Sequence, residues 1–243
     1  MTKEDIKDEI LGNVSSIETT GFVDGPGIRV VVFLQGCPLR CLYCHNPENL
    51  SLKTQKTLMT SAQVVERIKR YTSYFGEDGG VTFSGGEPLL QTEFLLNTLK
   101  LCKKNGINTA IDTSGCGDNY EEILDYVDTV ILDIKAIDPK QYKKLTGREI
   151  DKFEKFLEVC QEKQKDLWIR QVIVPGFNDK EEDILKLKEY ISKIKNVKKV
   201  ELLPYHDMAK EKYEKLGMKY KLKDVPAMDK KRCLKLQKLL LKK

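Results

Sequence analysis

The sequence of 243 residues has no uninterrupted apolar run approaching the roughly 20 residues of a membrane-spanning helix. Its first ten residues are charged from the third onward and contain no apolar core of a secretory signal. A strong excess of one charge is also missing. The 42 lysines and arginines exceed the 37 aspartates and glutamates too slightly, and lie too dispersed, for nucleic-acid binding. We therefore expect a soluble cytoplasmic protein with no membrane or nucleic-acid partner.

A complete set of disulfide bonds is excluded, because the seven cysteines cannot all pair. Four of them stand singly along the chain, which is typical of a reducing compartment and argues against a secreted disulfide scaffold. These are Cys102, Cys116, Cys160 and Cys233. The other three share one loop, Cys37-Pro-Leu-Arg-Cys41-Leu-Tyr-Cys44.

This cysteine loop supplies three thiolates and no fourth. Thiolates are soft ligands that select zinc, copper(I) or iron-sulfur clusters. Four of them would close a structural site, whereas three on a cubane of four irons leave one iron free to bind a substrate. From the loop alone, three alternatives stay open: a zinc site completed by His45, a disulfide with a spare thiol, and a cubane closed by a distant cysteine.

The chain around the loop alternates short apolar runs with amphipathic stretches, which predicts an α/β fold with a parallel sheet. The β-branched content of the runs favours strands at 28–34, 81–83, 107–111, 130–134, 167–174 and 200–203. Helical patterns include 61–71, 92–104 and 180–194, and an amphipathic basic helix is expected at about 227–243. The length fits one domain, 1–243, with either an open sheet or a partial barrel. The single tryptophan, Trp168, is expected in the core.

Polar residues follow five of the predicted strands where each strand ends, at the rim that forms the active-site face of βα folds. Each has a structural alternative: Gly85-Gly86 as a tight turn, Asp112 as a cap, and Asp133 with Lys135 as a simple ion pair. Asp133 and Lys135 carry more weight, because alternation places both on one face of the strand, where buried charges need a partner or a ligand. The rim residues are Gly86, Glu87, Asp112, Asp133, Lys135, Arg170 and His206.

Together these motifs resemble the radical S-adenosylmethionine (SAM) enzymes. The cysteine loop, Gly85-Gly86-Glu87-Pro88 and Asp133-Ile134-Lys135 carry that resemblance. Within that group, Thr20-Gly-Phe-Val-Asp24-Gly-Pro-Gly-Ile-Arg29, leading into the loop, is similar to the activating enzymes of glycyl-radical enzymes. The resemblance covers a core of about 17–222, followed by the C-terminal helix.

The resemblance implies a partial (β/α)6 barrel of the TIM-like type and an oxidoreductase activity. Cys37, Cys41 and Cys44 would hold one 4Fe-4S cluster, which reductively cleaves SAM to methionine and a 5'-deoxyadenosyl radical. That radical would remove a hydrogen from a glycine Cα of a partner enzyme. Pyruvate formate-lyase is the implied partner, because 45–84 contains no cysteine and so no ferredoxin-like insert. A flavodoxin or ferredoxin is the implied electron donor, and a monomer is expected.

The resemblance also assigns roles to rim residues. Tyr43, His45 and His206 would contact the nucleoside of SAM, and Gly86 and Glu87 its methionine ammonium group. The remainder of the SAM pocket would comprise Asp133, Ile134, Lys135 and Arg170, with Asp133 and Lys135 as the catalytic pair. A sodium or potassium ion would be held by Asp112, Thr113, Asp133 and the carbonyl of Ile131, and Asp24 would contact the partner's glycine loop. The rival hypotheses are a zinc-stabilised binding module and a simple electron carrier.

Overall fold

A computed structural model of the protein describes residues 10–242. The expectation that the first ten residues contain no signal core concerns residues that lie outside this range, except for Ile10. Lys243, the last residue of the expected C-terminal helix, also lies outside it. Between residues 10 and 242, no helix combines the length and the apolar character needed to cross a membrane.

One mixed sheet of eight strands organises the described residues. All six predicted strands are confirmed, as β2 and β4 to β8, and these six run parallel with β2 next to β4. The strands are β1 (Leu11–Gly21), β2 (Arg29–Leu34), β3 (Thr57–Thr60), β4 (Gly80–Gly85), β5 (Asn108–Thr113), β6 (Thr129–Asp133), β7 (Asp166–Ile173) and β8 (Val197–Pro204).

Strands β1 and β3 were not predicted from the sequence. They pair antiparallel with each other and extend the sheet beyond β2, in the order β3-β1-β2-β4-β5-β6-β7-β8. β1 escaped the apolar-run criterion because it buries little besides Gly12, Val14 and Gly21, as expected of a strand near a sheet edge. β3 and β8 form opposite edges, so the sheet does not close and the barrel is partial.

The helices follow the strands, as βα units require. The predicted helices at 61–71, 92–104 and 180–194 correspond to α1, α2 and α6, and the C-terminal one to α8. α1 begins at a capping box between Thr60 and Gln63, and Asp229 caps α8 through the Arg232 amide at 2.7 Å. The helices are α1 (Ser61–Lys69), α2 (Thr92–Lys104), α3 (Glu121–Asp125), α4 (Pro139–Thr146), α5 (Asp151–Glu162), α6 (Glu181–Ser192), α7 (Lys210–Lys215) and α8 (Lys230–Leu241).

Alternation along the strands separates two buried regions. Residues such as Val32, Phe83 and Leu132 belong to the large apolar core of the molecule. A second, much smaller cluster consists of Ala110, Ile131 and Trp168. Two residues further along β5, β6 and β7, the same face carries charged side chains. The fold therefore gathers polar chemistry inside the barrel, near the carboxyl ends of the strands.

Candidate active site

The cysteine loop begins after β2 and is fixed to the end of α4 by main-chain hydrogen bonds. The Arg40 amide donates to the Thr146 carbonyl at 2.7 Å, and the Leu42 amide donates to the Leu145 carbonyl at 2.9 Å. The Arg40 guanidinium also donates to the carbonyls of Cys37 and Leu39, both at 2.7 Å. These contacts hold the loop rigidly against the barrel.

All three loop thiols line a cavity of about 170 Å³ at the carboxyl end of the strands. The rim contributes Ser84 to Gly86 from the end of β4, Asp112 to Ser114 from the end of β5, Asp133 from the end of β6, and Lys135 two residues after it. Three buried polar atoms of the cavity walls have no hydrogen-bond partner among residues 10–242, namely Tyr43 Oη, His45 Nε2 and Asp133 Oδ1. Buried polar atoms are normally paired, so these atoms indicate a place for a polar ligand.

The thiols fit a cluster better than a single ion. Burial raises the pKa of the Cys41 thiol to about 12 and also raises the pKa values of Cys37 and Cys44, so ionisation needs a nearby positive centre such as coordinated metal. Zinc would draw its sulfur ligands to about 4 Å from one another. Among the described residues, no three His, Cys, Asp or Glu side chains converge in that way. A 4Fe-4S cluster, which takes thiolate ligands, suits three thiols that line one cavity.

The Gly85-Gly86-Glu87 segment brings backbone, not a carboxylate, to the cavity. A Cβ on Gly86 would collide with the Gly36 carbonyl, so only glycine fits between the cavity and the cysteine loop. The Glu87 carboxylate is buried and turned to the end of β5. There it accepts from the Thr113 hydroxyl at 2.5 Å and from the Ser114 amide and hydroxyl at 2.9 and 2.6 Å. Its contact with the SAM ammonium group stays a prediction.

Asp133 and Lys135 form an ion pair, as the structural alternative supposed. The pair uses only Asp133 Oδ2, and Oδ1 stays without a partner at the cavity. Burial lowers the pKa of Lys135, but Asp133 outweighs burial and raises it well above the usual value, so the ammonium group stays charged. Burial and the neighbouring Asp133 raise the pKa of Asp112 to about 6, and Ser84 donates to Asp112 at 2.9 Å.

Arg170 and Asp24 meet deeper inside the barrel, outside the walls of the cavity. The Arg170 guanidinium donates to the Val23 carbonyl and pairs with Glu201 at 3.3 Å. Asp24 lies in the turn between β1 and β2, and its carbonyl accepts from the Thr82 hydroxyl at 2.6 Å. Burial raises the pKa of the Asp24 carboxyl, although Arg170 and Arg29 oppose the shift.

The two histidines of the chain meet beside the third cysteine. The rings of His45 and His206 lie 3.7 Å apart between centroids. Burial, with the nearby His206 and Lys212, lowers the pKa of His45 to about 4, so His45 is neutral at pH 7. Lys212 of α7 donates to the His45 carbonyl at 3.1 Å and pairs with Glu48 at 2.7 Å, which ties α7 to the cysteine loop.

The remaining predicted residues contribute mainly through their backbone. The Thr113 hydroxyl donates to Glu87 and accepts from the Gly115 amide at 2.9 Å, and its part in the predicted cation site stays a prediction. Ile131 is buried on the inner face of the barrel, and Ile134 is buried in the large core with its amide on the Arg170 carbonyl at 2.8 Å. Their side chains carry no polar ligand atoms.

Sequence reasoning missed several cavity residues. Ser84 and Ser114 line the cavity. Ser84 could have been identified from the alternation along β4, because it lies on the same face of the strand as Thr82. Cys116 is buried in the core two residues after Ser114 and does not line the cavity, and its sulfur lies 3.3 Å from the Tyr142 hydroxyl. An isolated cysteine offered no signal of this position.

Comparison with known proteins defines the class to which this site belongs. The family model described as the radical SAM superfamily matches residues 31–187, and the chain belongs to that superfamily. The pyruvate formate-lyase-activating enzyme of Clostridium pasteurianum is 52% identical over 233 residues, covering 95% of this chain and 98% of that relative. The protein of the same name from Staphylococcus aureus (strain USA300) is 42% identical over 227 residues, covering 90% of each chain.

Solved structures support the fold. A domain of pyruvate-formate lyase-activating enzyme from Bacteroides vulgatus has a TM-score of 0.54 at 25% identity, over 67% of this chain and 92% of that one. A radical SAM methyltransferase from Sphaerobacter thermophilus has a TM-score of 0.63 at 15% identity, over 87% of this chain and 63% of that one. The predicted family, partial-barrel fold, 4Fe-4S cluster and use of SAM are thereby confirmed.

Proposed function

We propose that this protein is the activase of pyruvate formate-lyase and installs the glycyl radical of that enzyme. The observation that carries the proposal is the cavity in which three thiols face unpartnered polar atoms on an open barrel. The relative from Clostridium pasteurianum, matched over nearly its whole length, supports this choice of partner. The alternative is activation of another glycyl-radical enzyme, which the absence of cysteine between 45 and 84 disfavours.

Cys37, Cys41 and Cys44 would hold the cluster. When bound, the cluster supplies the electron that cleaves SAM, and the 5'-deoxyadenosyl radical so released takes a hydrogen atom from the glycine Cα. The contribution of the protein is to orient the reactants and exclude water. Gly86 lets the backbone approach SAM closely, and the hydrogen bonds of Glu87 fix the neighbouring rim of Thr113 and Ser114.

Asp133 would use its unpartnered Oδ1 to accept from the methionine ammonium group of SAM. Lys135, held charged by Asp133, would then balance the SAM carboxylate. Arg170 would add positive charge below this pair. Neutral His45, stacked on His206, suits a nucleoside contact, because the flat rings can pack on the adenine base without adding charge near the sulfonium.

The electron donor would contact the outer side of the cysteine loop. Arg40 and Arg148 are exposed there, and the Arg148 guanidinium donates to the Pro38 carbonyl at 2.9 Å. Such a basic surface favours an acidic carrier, for which we propose a flavodoxin or ferredoxin. The free cysteines support a reducing, cytoplasmic setting, and a monomer would leave the open side of the barrel to the protein substrate. A sodium or potassium ion beside Asp112 and Asp133 also stays a proposal.

The proposal is tested with anaerobically reconstituted protein, SAM, a reductant and pyruvate formate-lyase. The expected result is at least one equivalent of 5'-deoxyadenosine released per glycyl radical formed, together with about four irons and four sulfides per chain. About one zinc and no sulfide would support the binding module. A reducible cluster that does not cleave SAM would support the electron carrier.

A further inference from the structure

A group of four side chains inside the barrel lies below the SAM cavity and is not used by the proposed SAM site apart from Arg170. We call Trp168, Arg170, Lys199 and Glu201 the indole cluster. The Lys199 ammonium lies 3.8 Å from the centroid of the Trp168 ring, and the Arg170 guanidinium carbon lies 4.8 Å from it. Glu201 pairs with Lys199 at 2.6 Å and with Arg170 at 3.3 Å. The indole ring is therefore held in place by two cations that share one carboxylate.

The indole nitrogen of this cluster has no hydrogen-bond acceptor. Trp168 is only 7% exposed, as its expected core position requires, yet its Nε1 is buried without a partner in the described part of the chain. The carboxylate of Glu201 already serves Arg170 and Lys199. A buried N–H group without an acceptor is unfavourable, so an acceptor supplied by a bound molecule would stabilise the site.

The position of the cluster points to the protein substrate. Trp168 precedes Arg170 by two residues on β7, and Arg170 is the register partner of Asp133, so the indole lies about 7 Å below the charged rim. It does not line the cavity formed by the cysteine thiols. A bound molecule that reached the indole would therefore lie inside the barrel, below the charged rim and outside the cavity of the cysteine thiols.

The surroundings of the cluster suit an extended peptide. β8 is an edge strand, and a groove of about 800 Å³ lies between it and α8, with Lys199 and Glu201 among its walls. Phe22 and Val23, in the turn whose carbonyl contacts Arg170, are 71% and 72% exposed and offer apolar contact area. Exposed apolar side chains beside an unpartnered donor offer a peptide both packing area and a main-chain contact.

We propose that Trp168 is a positioning residue. Its indole N–H would donate a hydrogen bond to a main-chain carbonyl of the glycine-bearing segment of the protein substrate. This inference rests on the proposed function. A glycine-bearing segment suits the site because small side chains leave its carbonyls accessible to a buried donor. The hydrogen bond would fix the depth at which the glycine Cα enters the cavity.

The test uses the complete holoenzyme with SAM and a short synthetic peptide that carries the radical glycine of pyruvate formate-lyase. Trp168→Phe keeps an aromatic ring and removes the donor. We expect the KM for the peptide to rise about tenfold, with a much smaller change in kcat. Tyr74→Phe is the matched control, because it removes a donor from an exposed aromatic residue in the turn before β4, and its KM should equal that of the wild type.

A spectroscopic measurement separates positioning from packing. Because Trp168 is the sole tryptophan, the indole N–H band in the ultraviolet resonance Raman spectrum of the wild type belongs to it alone. We expect the band to move to its hydrogen-bonded position when the peptide is added. A band already there without peptide, which would mean that water is the acceptor, or a band that does not move, would overturn the inference, as would an unchanged KM in Trp168→Phe. Failure of the proposed function is distinct: the wild type would cleave SAM and give no glycyl radical on pyruvate formate-lyase.

Discussion

Replacing Asp133 with asparagine tests the most specific feature of the cavity. The carboxylate has two oxygens with different environments, one on Lys135 and one unpartnered at the cavity. Asparagine has the same shape but no charge, so the variant removes the charge-assisted contact while changing the packing little. A hydrogen bond between charged groups contributes about 1.5–3 kcal/mol, which predicts SAM binding about 10- to 150-fold weaker.

A second effect acts in the same direction. In Asp133→Asn the Lys135 ammonium loses its partner, and it then repels the ammonium group of SAM instead of being neutralised. The loss of affinity should therefore lie toward the upper end of that range. The assay is the equilibrium dissociation constant of SAM for the reconstituted protein, measured by titration calorimetry at constant cluster content.

The same chain provides a matched control at the other end of β6. Asp128, one residue before the strand, pairs with Lys103 and accepts from the Thr109 amide at 2.8 Å. Asp128→Asn should lower the melting temperature and leave SAM affinity within twofold of the wild type. The reasoning is refuted if Asp133→Asn also binds SAM within twofold of the wild type.

The remaining predictions concern the rim and the cysteine loop. Glu87→Gln should lower the free energy of unfolding by about 1–3 kcal/mol, because the Ser114 amide and hydroxyl lose a charged acceptor; weakened SAM binding with unchanged stability would instead restore the direct ammonium contact. Gly86→Ala should prevent cluster incorporation, measured as iron and sulfide per chain, whereas Gly106→Ala, with no atom within 4 Å of the added carbon, should cost only about 1 kcal/mol of stability. Cys44→Ser should retain the fold by circular dichroism and lose SAM cleavage, and full cleavage would place the cluster elsewhere.

Much of the fold follows from local patterns in the sequence. Short β-branched runs identified β2 and β4 to β8, because strands of a parallel sheet are buried on both faces. β1 and β3 escaped because partly exposed strands at or next to a sheet edge need few apolar residues, and Ser15 to Thr20 are mainly polar. The pairing that extends the sheet there is a long-range contact that local periodicity does not encode.

The sequence allowed us to predict which residues lie near the site better than it allowed us to predict the directions of their side chains. Alternation placed Asp133 and Lys135 on one face, and the structure places both at the cavity. The direction of Glu87 depends on two hydroxyls and an amide that follow another strand, so the Gly-Gly-Glu motif alone could not reveal it. The unpartnered nitrogen of Trp168 was equally hidden, because it depends on how the neighbouring Glu201 divides its oxygens between two cations.

The central claim is tested most directly by electron paramagnetic resonance. The reduced, cluster-containing protein is mixed with SAM and pyruvate formate-lyase, and the spectrum is recorded after the cluster signal has decayed. The account predicts the doublet of a glycyl radical on pyruvate formate-lyase. SAM cleavage without that doublet would contradict the assigned partner, and no cleavage by a fully reduced cluster would contradict the account as a whole.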